Sequence, residues 1–82
     1  METLYSLSGG AVEAIEFDVP EGFKFVDTPI KNWKIKNNIL IGAILHQNIA
    51  SIPTGEDTVT VGDRIIVISS GHRLLALSDI VR

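Results

Sequence analysis

Ile39-Leu40-Ile41-Gly42-Ala43-Ile44-Leu45-His46 is a run whose apolar side chains fall on odd and even positions alike. Successive side chains of an extended chain point to opposite faces. A run apolar on both therefore predicts a central strand covered on each side. One cover is expected from the domain's own short helices and the other from a second subunit. Asn37-Asn38 turns the chain into this strand. Gln47-Asn48 reads as a two-residue hairpin turn leading out of it, into a second strand at 49–52 that Pro53-Thr54-Gly55 breaks. The run is well short of the ~20 apolar residues that a membrane-spanning helix needs.

Toward the C-terminus, residues 58–61 alternate briefly, and Gly62-Asp63 turns into the Val/Ile-rich stretch Arg64–Ser69, a second buried strand. The tail fits two readings. Leu74, Leu77 and Val81 share a face if a helix starts near His72. Alternatively, 74–77 is extended and Ser78-Asp79 caps a short terminal helix, which is preferred because serine is a good N-cap and the acid lies in the first turn.

Toward the N-terminus, Ile15, Phe17 and Val19 alternate with Glu16 and Asp18, giving a half-buried strand at 15–19 that Pro20-Glu21-Gly22 ends. Val12 and Ala14 are out of phase with that set and predict a bulge or an irregular start. Asp27-Thr28-Pro29 predicts a short helix over 29–34, with a capping oxygen before a proline at the first helical position. Ile30 and Trp33 would share one face of it, with Trp33 a core anchor. The sum is an α+β fold: four or five mostly antiparallel strands with one or two short helices.

The chain has 82 residues, no cysteine, seven Lys/Arg and ten Asp/Glu. One small core is all that this length supports, and such domains often lean on disulfides, metals or a partner subunit. Without cysteines, and with only His46 and His72 far apart in sequence, the partner subunit is the expected support. Residues 1–30 are acidic, whereas Lys31, Lys34 and Lys36 form a local cationic cluster. That cluster is either a solvated face or a small anion-attracting patch, and it is too sparse for nucleic acid. No phosphate-binding loop, nucleophile elbow or metal-ligand spacing is present. Glu16 and Asp18 fall on an outward strand face, and His46 falls beside a turn. A non-catalytic role is the expectation. Residues 2–10 read like mid-protein sequence, and no signal-peptide pattern precedes them.

Between Asn38 and Val67 the chain resembles the TrkA-C (RCK C-terminal) domain family of potassium-transport regulators. Ile41-Gly42-Ala43-Ile44-Leu45-His46 is similar to that family's hairpin strand. Ile52-Pro53-Thr54-Gly55-Glu56 resembles its turn, and Gly62-Asp63-Arg64-Ile65-Ile66-Val67-Ile68 its later strand. Upstream, Ala14-Ile15-Glu16 and Asp27-Thr28-Pro29-Ile30 resemble its first strand and short helix. Downstream, Leu77-Ser78-Asp79-Ile80-Val81 resembles its terminal segment.

The resemblance implies one regulatory domain over residues 1–82, a C-terminal piece of a longer protein. It implies a homodimer working in the cytoplasm, peripheral to the inner face of the cell membrane, with a membrane potassium transporter or channel subunit as partner. No cofactor is expected here, since NAD or ATP would belong to a separate N-terminal domain. The same module could instead serve another cation or anion transporter or a transcription regulator, or act as a dimerisation domain without a ligand. Candidate small-molecule contacts are Asn32, Lys34, Leu40, His46 and Pro53. Some members bind cyclic di-AMP between two subunits, but Lys34 lacks an arginine's bidentate fork, Leu40 lacks an amide, and His46 replaces the usual basic residue. These departures count against that ligand.

Overall fold

The computed structural model describes residues 3–82. Five strands, β1 (Thr3–Leu7), β2 (Val12–Asp18), β3 (Ile39–His46), β4 (Ile49–Ser51) and β5 (Arg64–Ser69), form one wholly antiparallel sheet in the order β1-β2-β5-β3-β4. The run quoted first is indeed internal, between β5 and β4. Gln47 and Asn48 both have positive φ, 50° and 65°, the type I′ geometry that matches strand twist.

One face of the sheet carries the core. Ile15, Phe17, Ile41, Ile44, Ile65 and Val67 project there, and Val19, Phe23, Trp33, Val59, Leu77 and Ile80 close over them. Phe23 meets Trp33 edge-on at 5.2 Å between centroids, and Phe25 stacks on Trp33 at 6.1 Å. The Trp33 indole N–H donates to the Thr28 carbonyl at 2.8 Å, so its polar tip is satisfied as burial requires.

The α+β expectation needs correction. Among the described residues there is no α-helix, only single 3-10 turns at Ser8–Gly10, Ile30–Asn32 and Leu77–Ile80. The helix expected over 29–34 stops at Asn32 because Trp33 is already extended, at φ −73° and ψ 142°. Its first amides are taken by distant carbonyls, Ile30 N–H by Asp57 and Lys31 N–H by Gly55, both at 2.9 Å. No side-chain cap from Asp27 or Thr28 forms; Asp27 instead makes a left-handed turn at φ 60°.

Three further expectations shift. β1 was not foreseen, whereas residues 58–61 form no strand. β2 starts at Val12 without a bulge, because Val12 and Ala14 are in phase for the other face of the sheet. The bulge lies at Gly42 in β3, where pairing to β5 skips one residue between Ile41 and Ala43. A Cβ at Gly42 would come within 3.3 Å of the Ile68 side chain, so the strand relies on glycine for this close approach.

The tail follows the preferred reading of an extended stretch ending in a short turn, but Ser78 does not cap it. The Asp79 carboxylate accepts from the Leu75 and Ala76 N–H groups at 2.8 and 2.9 Å. Those two bonds, helped by Lys36, hold the Asp79 carboxyl below its ordinary range. A depressed folded-state value stabilises the fold above the ordinary aspartate range and loses that contribution as pH falls through the folded value. Asp79→Asn should therefore trail the wild type in urea unfolding near neutrality, with the gap closing in acid below about pH 4. A gap independent of pH would overturn this account of the cap.

The outer face of the sheet is apolar as well. Tyr5, Ala14, Ile68 and Leu40 form one row across four strands, and Ile66 with Ala43 continues the patch. Tyr5, Leu7 and Leu40 are well exposed on it.

Candidate ligand groove

Two connections to β3 create a groove of about 430 Å³. One wall is the entry to the strand, from Ile35 through Lys36, Asn37 and Asn38. The other is the Pro53-Thr54-Gly55 turn that leaves β4. That turn is built locally: Asp57 accepts from the Thr54 amide at 2.7 Å, and the Glu56 amide donates to the Thr54 hydroxyl at 3.3 Å. Gly55 lets it press on the Ile30–Asn32 turn, since a Cβ there would stand 3.0 Å from the Lys31 Cβ. Lys31 then pairs with Glu56 at 2.7 Å.

The groove has an apolar floor with a few polar groups at its rim, and its volume falls in the small-molecule range. Isoleucines 30, 35, 39 and 41 would meet a flat or apolar moiety. Lys36, Asn37, Asn38 and Thr54 offer a cation, two amides and a hydroxyl.

Of the five candidate contacts, Leu40 and Pro53 line this groove. Leu40 also lies in the outer-face row, so the groove opens at the edge of that face. His46 lies elsewhere, in a basin of about 270 Å³ with Ser51, Asp57 and Thr60. Its Nδ1 donates to the buried Asp63 carboxylate at 2.5 Å, which leaves Nε2 for an outside partner. The second Asp63 oxygen accepts from the Thr60 amide at 3.0 Å. Asn32 and Lys34 are exposed and line neither cavity.

Sequence reasoning passed over Asn37, Asn38 and Thr54 as contacts, and took Lys36 only as part of the cationic cluster with Lys31 and Lys34. The Asn37-Asn38 pair was read only as a turn, although two amides before an apolar strand are a signal that could have pointed here. Among the described residues no group of three or more His, Asp or Glu is placed to hold a metal ion, and no helix is long and apolar enough to cross a membrane.

Residues 14–82 match the model of the TrkA-C domain. The chain is 34% identical over 75 residues to a Trk system potassium uptake protein TrkA homolog of Archaeoglobus fulgidus, covering 92% of this chain and 17% of that protein. It is 29% identical over 82 residues to TrkA homolog 2 of Methanosarcina mazei, covering all of this chain and 17% of that protein. The chain thus spans about one-sixth of the length of the curated relatives it matches.

Proposed function

The chain belongs to the TrkA-C domain family, and on that premise we propose that it is a non-catalytic, ligand-sensing and dimerising regulatory domain of a larger potassium-uptake protein. The observation that carries the proposal is Leu40, which lines the groove and also lies in the apolar row of the outer face. A second copy seated on that face would border the groove. A ligand held there then has different contacts in different dimer arrangements, which is the condition for transmitting occupancy. Any NAD or ATP site would belong to another part of the longer protein, and a membrane potassium transporter or channel subunit would be its partner.

The test is a thermal-shift screen of the 82-residue chain against nucleotides, cyclic dinucleotides and metal ions. At a hundredfold excess over Kd a ligand adds about 2.7 kcal/mol, or roughly 11–22 °C in Tm for a domain of this size. Pro53→Ser should abolish the shift. No shift with any compound would favour a dimerisation domain without a ligand.

A further inference from the structure

Four of the seven Lys/Arg side chains gather on two segments that pack side by side. Residues 34–38 run along the tail 70–82. The Arg82 amide donates to the Lys34 carbonyl at 2.6 Å, the Lys36 amide to Ile80 at 2.8 Å and the Ser70 amide to Asn38 at 3.0 Å. The His72 ring adds a bond to the Asn37 carbonyl at 2.7 Å. Ile35 and Val81 pair in this ribbon and pack on the core, which places Lys34 and Arg82 opposite one another. Lys34, Arg73 and Arg82 are exposed, and Lys36 is half-buried.

Cations elsewhere are differently placed. Lys31 is paired with Glu56, Arg64 is paired with Glu16, and Lys24 lies over the Phe25 ring. Lys36 lines the groove and acts on Asp79, whereas among the described residues no carboxylate lies within ion-pair distance of Lys34, Arg73 or Arg82. Asp79, the acid on the ribbon itself, is turned back onto the Leu75 and Ala76 amides. Glu13 lies opposite Ser69, and Glu21 lines a cleft with Ala76 and Val81. The ribbon therefore keeps an excess of cations in a chain of net charge −3. Leu75, next but one to Arg73, is 69% exposed.

We propose that this ribbon is a docking surface for an anionic phospholipid bilayer, with Lys34, Arg73 and Arg82 over the headgroups and Leu75 inserted between them. A side chain that is apolar and exposed beside unpaired cations is the pattern of interfacial attachment. A free anion is a poorer fit, because Lys34, Arg73 and Arg82 converge on neither of the cavities described above. Three cations without stacked aromatic side chains are likewise a weak nucleic-acid footprint. The surface goes beyond the ligand-sensing role and does not depend on the groove being occupied.

The test is co-sedimentation of the 82-residue chain with phosphatidylcholine vesicles, with and without phosphatidylglycerol. Binding should require phosphatidylglycerol and weaken with salt. Each cation near the surface is worth about fivefold in partitioning, so the triple variant K34Q/R73Q/R82Q should bind about a hundredfold more weakly. Leu75→Ser should bind several-fold more weakly, and Lys31→Gln should bind as the wild type does. Circular dichroism of each variant establishes that it is folded. Three results would overturn the proposal: no enrichment on phosphatidylglycerol, undiminished binding by the folded triple variant, or displacement from vesicles by polyglutamate at stoichiometric concentration, which would point to an acidic protein partner.

Discussion

Trp33→Ala should lower the thermal midpoint by roughly 12–40 °C, leaving the domain largely unfolded at the upper end of that range. Truncating a buried aromatic costs about 3–5 kcal/mol, and each kcal/mol moves the midpoint by about 4–8 °C in a domain of this size. Trp33 is 5% exposed and meets both Phe23 and Phe25 in an aromatic trio. Its removal also orphans the Thr28 carbonyl, which now accepts the indole proton. A chain of this length has only about 4–12 kcal/mol of total stability to lose. Phe25→Leu is the graded companion: Phe25 is only partly buried, so a smaller loss is expected. The check is a thermal melt followed by circular dichroism, and a Trp33→Ala midpoint within a few degrees of wild type would refute the assignment of Trp33 as the anchor beneath the sheet.

Ile68→Asp should turn the proposed micromolar dimer into a monomer without unfolding it. Ile68 sits on β5, the middle strand, in the row with Tyr5, Ala14 and Leu40. Within one subunit that face is open, so the carboxylate stays hydrated and the fold should survive. Between two stacked faces it would be buried without a partner, which is costly. A central contact of this kind is worth at least about 2 kcal/mol, so the dimer Kd should rise by about thirtyfold or more. Four strands spaced ~4.8 Å apart and roughly 20 Å long give a patch of about 400 Å² per subunit. That is at the small end of specific interfaces, hence the micromolar expectation. Sedimentation velocity over a concentration series decides it. A wild type that stays monomeric throughout, or a variant that dimerises as well as wild type, would remove this face from the proposed interface.

Unbroken apolar runs, with one alternating segment at 15–19, carried most of the sheet. Ile39–His46 and Arg64–Ser69 were readable from their apolar side chains, and Gln47-Asn48 from its turn chemistry. β1 escaped because its pattern becomes legible only beside β2: Tyr5 and Leu7 are apolar toward a face that a single chain leaves open. The helix expected over 29–34 shrinks to one turn for a tertiary reason. Trp33 is already extended where it is anchored in the core, and no local capping rule can anticipate that. The groove was half legible for the same reason. Leu40 and Pro53 were readable because the family likeness runs through them. Asn37 and Asn38 were missed, and Lys36 was read only as part of a cationic cluster, because the wall facing them, Thr54 and Gly55, is brought there only by the folded hairpin. Lys34 was chosen from the family likeness, yet its backbone is committed to the tail ribbon and its side chain lines neither cavity.

The position of β5 bears on how the chain must fold during synthesis. β2 pairs with β5 from Glu13↔Ser69 to Asp18↔Arg64, a separation of about fifty residues. At ~5–20 residues per second, a ribosome takes about 3–10 s to bridge it. The β1–β2 hairpin is local and can close early. β3 and β4 can likewise pair as soon as their turn emerges. Neither hairpin has its sheet neighbour until β5 arrives, because β5 is the strand that both flank. Long-range pairing of this kind is intrinsically slow. Nascent chains halted before residue 64 should therefore hold two separate hairpins with exposed isoleucines, and the domain becomes one cooperative unit only when its last strand is inserted at the centre.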